Sequence, residues 1–298
     1  MCIRDRIYCN KATRELLELL LPDSAQLQEE QARYFNKHKL GKHKPAKPLY
    51  NLKHAKLALK QLKVFEKNER KIILPRWSIE AKRAGHILGS TSLCFEINEK
   101  VITFSGDIGR YKTPILAPPA AADFGDLVLC ESTYGDRSKK GGDTEAELQR
   151  IVNLVKDKKG PLIIPAFAVG RTQTLLYYLA KLERENKIPT LPVYVDSPMA
   201  VNATRIYRRF KHDYDKESKE LLEAGETPLL TENVHFCRST KESKSLNTLR
   251  GPRIIISASG MLTGGRVLHH LKNNIKKPET TILFVGYQAE GTLSLIHI

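Results

Sequence analysis

The rhythm of apolar positions changes twice along the chain. Between residues 11 and 35 leucines recur at helical spacing (Leu16, Leu17, Leu19, Leu20, Leu21), followed by a Gln/Glu-rich stretch from Gln26 to Gln31. Pro22 falls between the two textures, so the pattern predicts two helices broken near that proline. From residue 71 to 131 the texture shifts to short apolar runs at 72–74, 93–97, 101–104 and 127–129, which read as strands between turn residues. Beyond Asp143 the signals alternate: a helix to about 158, a strand at 162–164, a helix at 172–184, a strand at 193–195 and a helix at 200–210. A helix at 240–249, a strand at 253–257, a helix at 265–274 and a strand at 281–285 follow. Strands alternating with helices predict an α/β fold with a parallel sheet covered on both faces. No internal repeat or low-complexity tract interrupts the pattern.

Composition narrows the class. At 298 residues the chain is long enough for two domains of ordinary size. No apolar run approaches the roughly 20 residues needed to span a bilayer, so no membrane is expected as a partner. Lys and Arg total 49 against 33 Asp and Glu, a net charge of +16 that favours a polyanionic partner. The excess concentrates at residues 33–71, where 13 Lys/Arg face only Glu66 and Glu69 and Gly41, Pro45 and Pro48 punctuate the pattern. This region reads as an exposed basic loop followed by a basic helix at about 52–66, either a solvated face or a nucleic-acid contact surface. Five cysteines (Cys2, Cys9, Cys94, Cys130, Cys237) form no CxxC pair. Their mostly apolar neighbours predict buried, reduced thiols and a cytoplasmic compartment.

The terminal hexapeptides carry a different signal. Residues 1–6 can be encoded by ATG TGT ATA AGA GAC AG, whose reverse complement, CTG TCT CTT ATA CAC AT, encodes residues 293–298. One inverted repeat at both ends resembles a transposase end used to fragment DNA, so 1–6 and 293–298 are expected to be scars on a gene cut at both sides.

Three polar clusters follow the ends of predicted strands: Ala84-Gly85-His86, Ser105-Gly106-Asp107, and Cys130-Glu131 with the five residues to Asp136. Imidazole and carboxylates so placed suit a divalent borderline metal such as zinc, with a hydrogen-bonded loop role open for His86, a turn role for Asp107 and a helix or turn cap for Glu131. Longer strings occur in a fixed order: AGHILGST (84–91), SGDIGR (105–110), CESTYGDR (130–137), PAFAVGRTQ (165–173), DSPMA (196–200), SASGMLTGGRVLHH (257–270) and FVGYQAEG (284–291). Together they resemble the β-CASP branch of the metallo-β-lactamase superfamily, the RNA-processing nucleases that include the cleavage and polyadenylation endonuclease. The resemblance covers essentially all of residues 7–292.

That resemblance implies a partial metallo-β-lactamase αββα sandwich over residues 7–140, an inserted α/β β-CASP domain over 141–285, and the start of a return to the first domain at 286–292. It implies a zinc-dependent phosphodiesterase with two Zn2+ ions, in which a metal-bound hydroxide attacks the scissile phosphate and leaves a 3′-hydroxyl and a 5′-phosphate. Carried over by motif, His86 ligates one zinc, Asp107 bridges both, and Glu131 orients a downstream histidine. Arg171 and Arg266, beside glycines at predicted helix starts, are candidates for backbone-phosphate contact, with capping and salt-bridge roles open for each; Ser259 joins them as a candidate RNA contact. His269 and His270 point about 100° apart on a helix and cannot clasp one metal, so one is expected packed and one exposed. Single-stranded RNA is the implied partner, entering a cleft between the domains, with dimerisation left open.

The family's His-x-His-x-Asp-His cluster is expected before residue 7 and two further histidine motifs beyond residue 292. The chain as given is accordingly expected to be inactive within an active parent. A DNA-directed β-CASP nuclease and a catalytically dead RNA-binding subunit are the alternatives.

Overall fold

The protein is described by a computed structural model covering residues 6–40, 43–121, 125–136 and 142–297. Residues 1–5, Arg137 of the third string and the boundary expected at 140/141 lie outside the described residues. The chain divides into two compact units, one of residues 1–111 and 118–131, the other of residues 112–117 and 132–298.

The first unit opens with β1 (Ile7–Cys9) and α1 (Lys11–His38), then α2 (Leu52–Lys60) and β2 (Leu62–Val64). Asn10 starts α1 by accepting the backbone N–H of Thr13 at 2.9 Å. The two helices expected around Pro22 are a single helix with the proline inside it. Pro22 forfeits one backbone hydrogen bond, a cost of about 3 kcal/mol. Leu16 before it and Ala25 after it are both buried, so packing on either side carries the helix through. The basic helix expected at 52–66 stops at Lys60, because residues 62–64 leave to pair in parallel with β1 (Ile7↔Leu62, Cys9↔Val64). A meander follows: β3 (Lys71–Leu74), β4 (Trp77–Arg83), β5 (Thr91–Ile97) and β6 (Lys100–Phe104), each antiparallel to the last, with β7 (Leu127–Leu129) parallel to β6. Phe65, Ile79 and Ala81 form its small buried cluster.

The second unit is α3 (Thr144–Lys158), β8 (Pro161–Pro165), α4 (Arg171–Arg184), β9 (Val193–Val195), α5 (Pro198–Arg209), α6 (Lys216–Glu223), β10 (Val234–Phe236), α7 (Thr240–Ser245), β11 (Arg253–Ser257), α8 (Arg266–Asn274), β12 (Thr281–Ile282) and α9 (Leu293–His297). Its strands form one parallel sheet in the order β10-β9-β11-β8-β12. The central pair, β8 and β11, is buried at every position, as a sheet covered on both faces demands. Leu162, Ile164, Leu176, Leu179, Val195 and Ile256 are at or near zero exposure in the core against α3 and α4. α7 ends short of the expected 249 because Asn247 and Thr248 turn back onto the carbonyls of Lys244 and Ser245. α9 lies within the closing hexapeptide, and its helicity does not bear on the origin of that segment.

The thiols depart from expectation in part: Cys9 and Cys237 are buried, Cys94 is half-buried, and Cys130 is exposed where its strand ends. Burial pushes the Cys237 thiol up to about 11, which keeps it protonated and inert. Replacing Leu176 with alanine should lower unfolding stability by about 2–5 kcal/mol, read as an earlier urea midpoint with an unchanged slope.

Candidate functional site

The seven strings collect at two sheet edges, one in each unit. In the first unit the β4–β5 loop, the segment after β6 and the segment after β7 all leave the sheet at the same edge, since β5 runs antiparallel to β4 and β6 and β7 is parallel to β6. They carry His86, Asp107 and Glu131.

Backbone contacts fasten these segments together. Ser90 Oγ accepts the N–H groups of His86 and Ile87 at 2.9 and 3.2 Å, and Ala84 N donates to Ser90 O at 3.0 Å, which closes the His86 loop on itself. Gly109 N donates to Ala84 O at 2.8 Å, and Gly85 and Ile108 form an antiparallel bridge, which locks the Asp107 turn against the His86 loop. The two chains approach so closely that a Cβ on Gly109 would overlap the carbonyl of Gly85. Glu131 joins from β7: its N–H donates to Ser105 Oγ at 2.9 Å and its Oε1 accepts Ile108 N at 2.8 Å. The capping role left open for Glu131 is thus what its Oε1 performs. His86 and Asp107 are exposed, while Glu131 is half-buried.

The donor set is small. Among the described residues no group of three or more His, Cys, Asp or Glu side chains is placed to hold a metal ion. His86 and Asp107 are two donors, short of the three or four that fix zinc, so the described residues do not by themselves fit a zinc centre.

In the second unit the other strings follow the carboxyl ends of β8, β9, β11 and β12, where open α/β sheets bind ligands. Asp196, directly after β9, is fully buried. Its Oδ1 accepts Arg266 Nη1 at 2.7 Å, and its Oδ2 accepts both Ser243 Oγ and His270 Nε2 at 2.6 Å. Burial pushes this carboxyl up, but the hydrogen bonds from His270, Ser243 and Arg266 outweigh it and hold the group below the ordinary carboxylate range. Arg266 also donates to the carbonyls of Cys237 and Arg238, so the salt bridge left open for it is what the structure shows. His270 is buried and His269 exposed, the split expected for adjacent helical positions. Ser259 closes the loop before α8 by accepting Thr263 N at 2.9 Å, and Arg171 is exposed at the start of α4. Sequence reasoning quoted Asp196 within DSPMA without giving it a role. The buried partners Ser243 and His270 are too distant in sequence to signal one.

Residues 172–295 match the Beta-Casp domain family. The chain is 32% identical over 291 residues to a ribonuclease of Thermus thermophilus, covering 97% of this chain and 63% of the relative. This chain belongs to the β-CASP branch of the metallo-β-lactamase superfamily. Within that branch it is also 32% identical to the transcription termination factor FttA of Methanocaldococcus jannaschii (96% of this chain, 44% of the relative). It is 30% identical to an RNase J-like protein of the same organism (97% and 63%). The chain therefore spans about two fifths to three fifths of the length of these β-CASP relatives.

Two outcomes follow. Gly109→Ala should separate the His86 and Asp107 loops and lower the thermal midpoint, while Gly142→Ala, at an exposed position with open space around it, should not. Asp196→Ala should cost about 3–5 kcal/mol by stranding Arg266. Because the folded carboxyl titrates below its unfolded value of about 4, its stabilisation is present above that pH and disappears as pH falls through the folded value. The wild-type loss of stability on acidification should accordingly shrink in the variant, as measured by denaturant melts at pH 3 to 7.

Proposed function

We propose that this chain is part of a zinc-dependent phosphodiesterase that cleaves RNA in RNA processing or decay, working in the cytoplasm on single-stranded substrate. The observation that carries this reading is the convergence of His86, Asp107 and Glu131 on one sheet edge, tied by the Gly109–Ala84 and Ile108–Glu131 hydrogen bonds. The names of the relatives, a ribonuclease, an RNase J-like protein and a transcription termination factor, support RNA as the substrate class. His86 and Asp107 are the proposed metal donors, with two zinc ions in the complete site. Glu131 is a positioning group, because its carboxylate holds the turn that carries Asp107. His86 and Asp107 supply two of the donors such a site needs, so in this reading the chain by itself is inactive. Domain limits near 140 and 285 are part of the same reading.

The test uses a longer protein that contains this chain. Asp107→Ala should reduce cleavage of a labelled single-stranded RNA by about a hundredfold or more, and Glu131→Gln by about 10–100-fold, with circular dichroism unchanged. Full activity in Asp107→Ala would remove the hydrolase reading. Faster cleavage of the matching DNA strand would transfer it to the DNA-directed branch.

A further inference from the structure

The longest helix of the first unit joins the candidate site to a distant basic face. At its start, Asn10 Nδ2 and Thr13 Oγ1 both donate to the carbonyl of Gly89, at 2.6 and 2.9 Å, so α1 is pinned to the loop that bears His86. At its other end Tyr34 is 54% exposed and its ring lies 4.4 Å from that of His38, one turn further on. At about 1.5 Å per residue, Tyr34 stands at most about 36 Å along the axis from Asn10.

Residues 46–52 are fixed to the helix. Asn36 exchanges two hydrogen bonds with the backbone of Ala46, Gln28 accepts Leu49 N, and Glu29 accepts Leu52 N. α2 therefore packs against α1 in a defined register, with Ala55 buried. Its Lys53, Lys56 and Lys60 are exposed, follow one helical face at i, i+3 and i+7, and among the described residues take part in no ion pair.

Helix stability accounts for Lys60, a cation in the last turn, but not for Lys53. Cations favour a helix C-terminus, yet α2 carries Lys53 in its first turn with no acidic residue of its own there, the Glu29 carboxylate on Leu52 N being supplied by α1. The macrodipole penalises that arrangement by a few tenths of a kcal/mol per charge. An exposed row of lysines on α2 and an exposed aromatic pair on α1, carried by the same helix hairpin, combine the two features that bind a flexible polyanion whose bases stack.

We infer that the α1–α2 hairpin is a docking face for the single-stranded RNA substrate, with Lys53, Lys56 and Lys60 on the phosphates and Tyr34 stacking a base. It rests on the RNA reading above for its class of partner. At the stacked rise of about 3.4 Å per nucleotide, roughly ten nucleotides span the distance from the His86 loop to Tyr34. The hairpin thus favours RNA long enough to touch both.

Fluorescence anisotropy with labelled oligouridylates of 5 and 20 nucleotides tests the inference on the chain as it stands, without cleavage. The Lys53→Glu/Lys56→Glu/Lys60→Glu variant should weaken 20-mer binding at least about tenfold, reduce the log–log salt slope by about 2, and shrink the preference for 20-mer over 5-mer. Tyr34→Ala should weaken 20-mer binding about tenfold and Tyr34→Phe should restore it. An unchanged salt slope in the triple variant, or no RNA binding by the wild-type chain, would overturn the inference. RNA binding that survives the triple variant intact would reassign this face, with its nearly fully exposed Leu49, to a protein partner. The nuclease reading fails separately, on Asp107→Ala, so the two failures are distinguishable.

Discussion

One backbone crossing carries the first sheet edge. β4 and β6 are separated by β5, so the segments that leave them meet only if the main chains cross closely beyond the sheet. Gly85 and Gly109 make that crossing: Gly85 has φ +67°, and no side chain fits at Gly109. The Gly109–Ala84 hydrogen bond then fixes the two loops in register. His86 and Asp107 are exposed, so their own packing does not orient them. Their positions are inherited from backbone bonds and from the hydroxyls of Ser90 and Ser105 underneath. An edge built this way keeps polar groups accessible on a scaffold that does not depend on their contacts.

The second unit solves the same problem with a buried charge. A carboxylate at zero exposure is tolerable only with its lone pairs filled, and Asp196 receives three side-chain donors on its two oxygens. Each donor comes from an element past β9: Ser243 from α7, and Arg266 and His270 from α8. The carboxylate therefore ties the end of one strand to two helices and sets where the 258–265 loop ends. This arrangement commits the half-buried Arg266 guanidinium to Asp196 and to the carbonyls of Cys237 and Arg238.

What the sequence made legible follows from the range of the forces involved. The alternation after residue 143 reads correctly because central parallel strands are apolar on both faces and their helices carry local periodicity. Pro22 misleads because a local rule predicts a break that tertiary burial of Leu16 and Ala25 overrides. β2 is missed as the tail of a helix because its partner, β1, lies more than fifty residues upstream and three paired residues leave no pattern. His86, Asp107 and Glu131 stand out through their strings, whereas residue type alone leaves turn and ligand roles open. The Asp196 cluster is invisible for the same reason as β2, because its members are brought together only by the sheet.

The two kinds of surface in the first unit differ in how tightly they constrain the sequence. The edge carrying His86 and Asp107 depends on main-chain geometry correct to a fraction of an ångström, since Gly109 has no room for a methyl group. The α1–α2 face depends on summed charge, and charge acts over a Debye length of about 8 Å at physiological salt, so lysines there are interchangeable in position. Chemistry at a phosphate requires the first kind of surface, and holding a long, sequence-indifferent polymer requires only the second. α1 is the mechanical link between them, because the same helix is capped against Gly89 at one end and stapled to the basic segment at the other. A substitution that bends α1 near Pro22 would therefore shift the α1–α2 face relative to the sheet edge without touching either surface.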